Sequence, residues 1–144
     1  MLRFTKRADY GLMAIHYIAV NEDHGVVNAK RIAEEFHIPS ELLAKILQRL
    51  AKKQLITSQN GPKGGYVLAL RPTAISVGDV IRALEGPINI VSCLEASSEC
   101  PQMAHCNLRR PVLKIQAAIS QMLDTMSLAE LVRSDVPELF TIVA

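Results

Sequence analysis

The chain has 144 residues, of which 49% are hydrophobic and 21% charged, with a formal net charge of +2; this composition is that of a folded globular protein and excludes an intrinsically disordered chain. Apolar runs stay well short of the roughly 20 residues that a membrane-spanning helix needs, and Asp9, Tyr10 and His16 interrupt the apolar stretch that a signal peptide would require. We therefore expect a cytoplasmic protein with no membrane partner.

The first third of the chain has the pattern of a helix-turn-helix. Apolar residues recur at helical spacing from Tyr10 through Met13 and predict a first helix over 8–20. A capping asparagine precedes a short second helix over 29–36, and leucines and an isoleucine give a third helix, over 40–53, one apolar face. Two short helices joined by a tight turn, behind a longer helix, form the helix-turn-helix layout.

A β-hairpin is predicted directly after the third helix. Segments 55–58 and 66–70 are rich in apolar and β-forming residues. The segment between them, QNGPKGG, contains three glycines and a proline, which supply the positive φ angles and rigid bends of a hairpin tip. A hairpin in this place is the wing of a winged helix-turn-helix.

A long helix near the C-terminus is predicted to pair with a second copy. Ser76 and Asp79 have the spacing of a capping box for a fourth helix over 77–85, after which residues 88–107 show no periodicity. Apolar residues then recur at alternating spacings of four and three, the pattern of a helix that buries a seam against a partner helix. Packing of this seam within its own chain is the alternative. The predicted dimer interface consists of Leu108, Val112, Ile115, Ile119, Met122 and Met126.

Double-stranded DNA is the partner that a winged helix-turn-helix suggests. Residues 1–86 contain 12 Lys and Arg against 8 Asp and Glu, and this excess of positive charge suits a polyanionic partner. A solvated charged surface without such a partner has the same composition and is the alternative. On the polar face of the third helix, Lys45 and Gln48 have the reach for base edges and Lys52 for phosphates. Ser40 fits either a helix cap or a DNA contact. The predicted DNA contacts are Thr5, Lys6, Ser40, Glu41, Lys45, Gln48, Lys52, Asn60, Pro62, Lys63 and Gly64.

All three cysteines, Cys93, Cys100 and Cys106, lie within one short segment. Cytosolic proteins rarely use disulfides for structure, so this cluster favours metal or redox chemistry. The spacing is unlike that of a zinc knuckle, and its longer gaps suit a loop around a larger object such as an iron–sulfur cluster, for which thiolates are the preferred ligands. Zinc, or three cysteines without any ligand, are the alternatives.

Together these elements predict a mainly α fold with a small β-hairpin, namely a winged helix-turn-helix with a long C-terminal dimerisation helix. We divide the chain into a DNA-binding domain over 1–86, a cysteine-containing cluster loop over 87–107, and the dimerisation helix with a C-terminal tail over 108–144. Ser127 and Glu130 have the spacing of a second capping box and predict a last short helix in the third region.

Four segments resemble those of the iron–sulfur winged-helix transcription regulators of the IscR/NsrR-like family. They are the wing GPKGGYVLA, the following ISVGDVIRALEG, the cysteine triplet and the closing MSLAELV, and the resemblance runs over residues 2–133. It implies a dimer with crossed long helices and a cluster held by Cys93, Cys100 and Cys106 near the subunit interface.

The fourth cluster ligand separates two branches of that family. The IscR-like branch uses a histidine three residues after the last cysteine, but this position is Arg109, which cannot ligate iron. The NsrR-like branch uses an aspartate at the start of helix one of the partner subunit, and Asp9 matches it, although a carboxylate also suits a helix N-terminus. The resemblance thus favours a [4Fe–4S] over a [2Fe–2S] cluster. Ala44 and Asn60 replace a glutamate and an arginine of the IscR-like branch, which implies a different operator.

The expected function is therefore that of a transcriptional repressor whose operator binding is controlled by a cluster that senses nitric oxide or redox state. A regulator of the same fold without a cluster, responding by thiol oxidation or small-ligand binding, is the first alternative. A protein-interaction module that does not bind DNA is another. A thiol-dependent redox enzyme is disfavoured because the chain has no C-x-x-C motif, and we expect no catalytic residues.

Overall fold

In the computed structural model, residues 2–94 and 100–133 are described, and they confirm the predicted fold class. Within them the chain forms six α-helices and one antiparallel hairpin, and the predicted bounds lie within two residues of the observed ones. The helices are α1 (Lys6–Val20), α2 (Ala29–Phe36), α3 (Ser40–Lys52), α4 (Val77–Glu85), α5 (Arg109–Thr125) and α6 (Leu128–Val132). The strands are β1 (Ile56–Gln59) and β2 (Gly65–Leu68).

The hydrophobic core lies between α1, α3 and α4, and it contains the predicted apolar face of α3. That face consists of Leu43, Ile46, Leu47 and Leu50, all of them buried. At Gly11 of α1, the absence of a side chain leaves the space that Leu84 of α4 fills. The buried face of α1 thus contains Gly11 together with Ile15 and Ile18, and Met13 is exposed, contrary to the prediction from helical spacing.

The wing is anchored by a segment that the sequence pattern did not indicate. Val27, in the connection between α1 and α2, bridges to Tyr66 of β2 with N···O distances of 3.0 and 2.8 Å. A β-carbon on Gly65 would overlap the carbonyl oxygen of Val27, so close backbone approach requires glycine there. Among the wing glycines only Gly61 has a positive φ, of 116°, and the prediction of positive φ is wrong for Gly64 and Gly65.

We expect Gly65→Ala to lower the free energy of unfolding by about 1–3 kcal/mol, because the added methyl group must displace the backbone of Val27. Urea denaturation followed by circular dichroism measures the change. Ser58→Ala, at an exposed position of β1, is the control and should change stability by no more than about 0.5 kcal/mol. Equal stability of the two variants would contradict the close approach at position 65.

Both predicted capping boxes are confirmed. At the start of α4, Ser76 and Asp79 exchange side-chain to backbone hydrogen bonds of 2.9 and 3.0 Å, and Ser127 and Glu130 do the same at the start of α6, at 3.3 and 3.0 Å. Leu128 then buries α6 against the core. None of the helices in the described part of the chain has both the length and the apolarity needed to cross a bilayer.

Candidate DNA interface and cysteine loop

The polar face of α3 is exposed along the whole helix. Its members are Glu41, Lys45, Gln48 and Lys52. The N-cap position belongs to Pro39, and no side chain caps the helix, so the alternative in which Ser40 is the cap is wrong. Ser40 is instead the exposed first residue of α3. These five side chains of α3 are therefore available to a partner, and the DNA contacts themselves stay predictions.

An arginine that sequence analysis missed links α3 to α4. Arg49 Nη1 donates to the carbonyl oxygen of Leu84 at 2.8 Å, and Arg7 Nη1 donates to the same oxygen at 3.2 Å. This carbonyl lies in the last turn of α4, where carbonyls lack intrahelical partners and the helix dipole favours cations. The end of α4 thus holds both α1 and α3. No local pattern could reveal this link, since it joins residues 35 positions apart.

Thr5 has a structural role that was not predicted. Its hydroxyl oxygen accepts the backbone N–H of Ala8 at 3.1 Å and thereby caps α1, and the hydroxyl donates to the carboxylate of Glu85. The ammonium group of Lys6 is exposed and lies 5.8 Å from the ring centroid of Tyr10. Lys6 is therefore better placed than Thr5 for the predicted phosphate contact, since the Thr5 hydroxyl already has two partners.

The wing tip presents one cation. Asn60, Pro62 and Lys63 are exposed, and Gly64 is half-buried because its N–H donates to the carbonyl of Gly61 at 2.9 Å. Lys63 forms no ion pair with another of the residues that the structure describes. Its charge is therefore available for a phosphate group, as the prediction requires.

The three cysteines lie on either side of a short gap in the described chain. Cys93 is half-buried in a 3-10 turn after α4, Cys100 is half-buried, and Cys106 is exposed three positions before α5 begins. All three are free thiols. Over 2–94 and 100–133, no three His, Cys, Asp or Glu side chains come close enough to hold one metal ion. A shared ligand set with the half-buried Asp9 of α1 therefore stays a prediction.

The chemistry of these donors fits a thiolate-bound group. The thiols are not committed to disulfides, and soft sulfur ligands suit iron–sulfur clusters. The first turn of α5, just after Cys106, contains Arg109 and Arg110, has no acidic residue and has no side-chain cap. Cations at a helix N-terminus oppose the helix dipole, so helix stability does not explain these arginines. Together with the dipole they favour a negatively charged group beside Cys106.

The apolar seam of α5 faces solvent in the single chain. Ile115 is 50% exposed and Met122 56%, and α5 has no buried residue. The flanking members Leu108 and Met126 are the cap residues of the helix and are also exposed, whereas Val112 and Ile119 are half-buried. Over the described residues, the seam is therefore not fully buried by its own chain, and its pairing with a second copy stays a prediction.

An open apolar cleft of about 590 Å³ adjoins the seam. It lies between the segment before α1, the segment after α4, and α5. Its apolar lining includes Leu2, Phe4, Ile88, Ile90, Ile119 and Met122. Its composition suits an apolar side chain or a small apolar molecule.

Comparison with known proteins gives a consistent family. The profile of the Rrf2 family, described as iron-dependent transcriptional regulators, matches residues 4–134. Protein rrf2 of Nitratidesulfovibrio vulgaris is 36% identical over 132 residues, which are 92% of this chain and 88% of that protein. The HTH-type transcriptional regulator NsrR of Oceanobacillus iheyensis is 27% identical over 93% of this chain and 92% of its own. The solved structure of CymR, the global cysteine regulator of B. subtilis, has a TM-score of 0.75 and 31% identity, and the match covers 92% of this chain and 97% of that one.

Proposed function

The chain belongs to the Rrf2 family of DNA-binding transcriptional regulators, and from this premise we propose that it is a cytoplasmic, homodimeric repressor whose operator binding is controlled by an iron–sulfur cluster. The observation that carries the sensing part of the proposal is the position of the three free thiols. They lie in the connection between α4, which holds the recognition helix α3, and α5, which exposes the seam.

In the proposed complex, α3 lies in the major groove of DNA. Lys45 and Gln48 contact base edges, Glu41 and Ser40 lie beside them, and Lys52 binds a phosphate. Two copies of α3, related by a twofold axis, contact half-sites about one turn of DNA apart. The wing contacts the adjacent backbone through Lys63 and the tip residues Asn60, Pro62 and Gly64, and Thr5 and Lys6 lie near a phosphate at the start of α1.

Lys63→Ala is expected to weaken DNA binding and to reduce the slope of log affinity against log salt by about one unit, because one phosphate contact is lost. Lys45→Ala should instead lower affinity for the operator by about 10- to 100-fold and leave non-specific binding nearly unchanged. Fluorescence anisotropy on operator and scrambled duplexes over a salt series measures both effects. Unchanged affinity in both variants would contradict this interface.

The proposed cluster ligands are Cys93, Cys100 and Cys106, with Asp9 of the partner subunit as the fourth. The donor set and the family resemblance favour a [4Fe–4S] cluster over a [2Fe–2S] one. When bound, such a cluster supplies a centre that reacts with nitric oxide or oxidants. The cysteines then hold the loop over 87–107 in one position, and Arg109 and Arg110 offset the negative charge of the thiolates.

Control of DNA binding then follows from the placement of the loop. A loop fixed against α1 of the partner subunit sets the distance between the two α3 helices. When the loop is released, a smaller fraction of the dimers has the spacing of α3 helices that DNA binding requires. A 100-fold difference in operator affinity between the two states requires only about 2.7 kcal/mol of coupling.

A regulator of the same fold without a cluster is the second candidate. It is favoured by the likeness to CymR, named as a cysteine regulator, by the free thiols, and by the apolar cleft beside α5. Anaerobic purification followed by iron and sulfide assays distinguishes the two. A coloured protein with about four irons per subunit supports the cluster. A colourless protein after anaerobic reconstitution supports thiol or ligand sensing, and stoichiometric zinc contradicts both.

A further inference from the structure

A glutamine in α5 holds the segment that leads into the cysteine loop. Gln116 Oε1 accepts the backbone N–H of Ile90 at 2.9 Å, and Gln116 Nε2 donates to the backbone carbonyl of Ile88. The two ends of one side-chain amide thus pair with alternate backbone groups of the same segment, as a neighbouring β-strand would. The side chain is half-buried, so solvent competes only partly for these bonds.

The segment held by Gln116 connects the two parts of the proposed mechanism. Towards the N-terminus it leads to Leu84, whose carbonyl holds Arg49 of the recognition helix α3. Towards the C-terminus, Cys93 follows Ile90 by three residues. Three residues span at most roughly 10 Å even when fully extended. The connection is therefore too short to absorb a large displacement of Cys93, and such a displacement moves Ile90 as well.

We infer that Gln116 is a positioning residue that transmits the state of the cysteine loop to α5 and, through the end of α4, to α3. This inference rests on the proposed function, because it requires that the state of the loop controls DNA binding. With both hydrogen bonds intact, the segment over 88–90 and α5 move as one body. Without them, a change in the state of the cysteine loop is no longer transmitted from the segment over 88–90 to α5.

A second contact joins the C-terminal end of α5 to α4. There Arg82 of α4 hydrogen-bonds to Asp124, and this bond raises the pKa of the guanidinium. The contact ties the C-terminal end of α5 directly to α4, independently of the cysteine loop. Gln116 lies near the middle of α5, about two turns before Asp124, and its two bonds join the helix to the chain between α4 and Cys93.

The test compares operator affinity in two states of the full-length protein. The first pair compares protein reconstituted anaerobically with ferrous iron and sulfide with protein stripped by chelator and oxidant, and the second pair compares reduced with peroxide-treated thiols. The wild-type ratio of affinities is expected within the range of roughly 5- to 150-fold. Gln116→Ala should bring that ratio close to one, and Gln116→Glu, which keeps the acceptor for Ile90, should give an intermediate ratio.

Gln121→Ala is the matched control, since Gln121 is an exposed glutamine of the same helix whose side chain forms no hydrogen bond with another described residue. It should keep the wild-type ratio. Hydrogen exchange provides a readout of the bond itself: the Ile90 amide should exchange faster in Gln116→Ala, while the amides of α3 and the circular dichroism spectrum stay unchanged.

The outcomes separate this inference from the proposed function. A wild-type ratio that persists in Gln116→Ala, with faster exchange at Ile90, overturns the role of Gln116 and leaves the proposed function intact. A wild-type ratio of one in both pairs of samples overturns the proposed function and the inference with it. A lost ratio in Gln116→Ala together with a retained ratio in Gln121→Ala supports both.

Discussion

Ile115→Asp is expected to produce a monomer that binds a two-half-site operator at least about 100-fold more weakly than wild type. Ile115 lies near the middle of the exposed seam of α5, and 50% of its surface is accessible in the single chain. In a twofold dimer, the substitution places a carboxylate from each subunit in a shared apolar strip. Burying an uncompensated charge of this kind costs about 3–5 kcal/mol, which exceeds the roughly 2.7 kcal/mol of a 100-fold change.

Leu113→Asp is the matched control for this experiment. Leu113 is 47% exposed on the same helix but lies outside the seam, on nearly the opposite face. Sedimentation velocity reports the oligomeric state, and anisotropy with a labelled operator reports affinity. We expect Leu113→Asp to remain a dimer with wild-type affinity. If Leu113→Asp dissociated and Ile115→Asp did not, the dimer interface would lie on the face of α5 that contains Leu113, and the predicted seam would be wrong.

Local patterns were sufficient to predict most elements of the fold. The apolar face of α3 and the two capping boxes depend on residues within one or two helical turns of each other, so their spacing in the sequence determines their spacing in the fold. The face of α1 was predicted less well. Its burial depends on contacts with several other helices, so the buried face includes Gly11, against Leu84, and leaves Met13 exposed.

The residues missed at the candidate site are those that act over long distances in the sequence. Arg49 pairs with a backbone carbonyl of α4, Thr5 with Glu85, and Gln116 with the backbone of residues 88 and 90. In each case one partner is a polar side chain of a type common on protein surfaces. Arg49 and Gln116 pair with backbone groups, which carry no sequence signal. Only the folded chain brings them together.

These long-range contacts have a common location, which is the C-terminal end of α4. The carbonyl of Leu84 accepts from Arg7 and Arg49, and Glu85 accepts from Thr5. The chain then continues through Gly86, whose φ of 79° turns it away from the helix axis. The cysteine loop therefore begins beside the point that fixes α3, which is the arrangement that a sensor controlling a recognition helix requires.

Replacing Cys93, Cys100 and Cys106 together with alanine is expected to reduce the iron content from about four atoms per subunit to a trace, because no thiolate ligand remains. The same variant should lose the difference in operator affinity between reconstituted and stripped protein. Since the thiols are half-buried or exposed and none is in a disulfide, their removal should leave the fold intact. Iron and sulfide assays, visible absorbance and circular dichroism measure these effects.

His105→Ala is the control for the cysteine variant, because His105 is an exposed imidazole beside Cys106 that is not among the proposed ligands. Adjacent residues seldom reach one metal together, so its iron content should equal that of wild type. Asp9→Ala tests the fourth ligand separately and should yield a cluster that is lost faster in air. If the triple variant kept its iron, the cluster would lie elsewhere. If wild type held no iron yet lost operator affinity on oxidation, and the triple variant did not, the cysteines would be sensors in their own right.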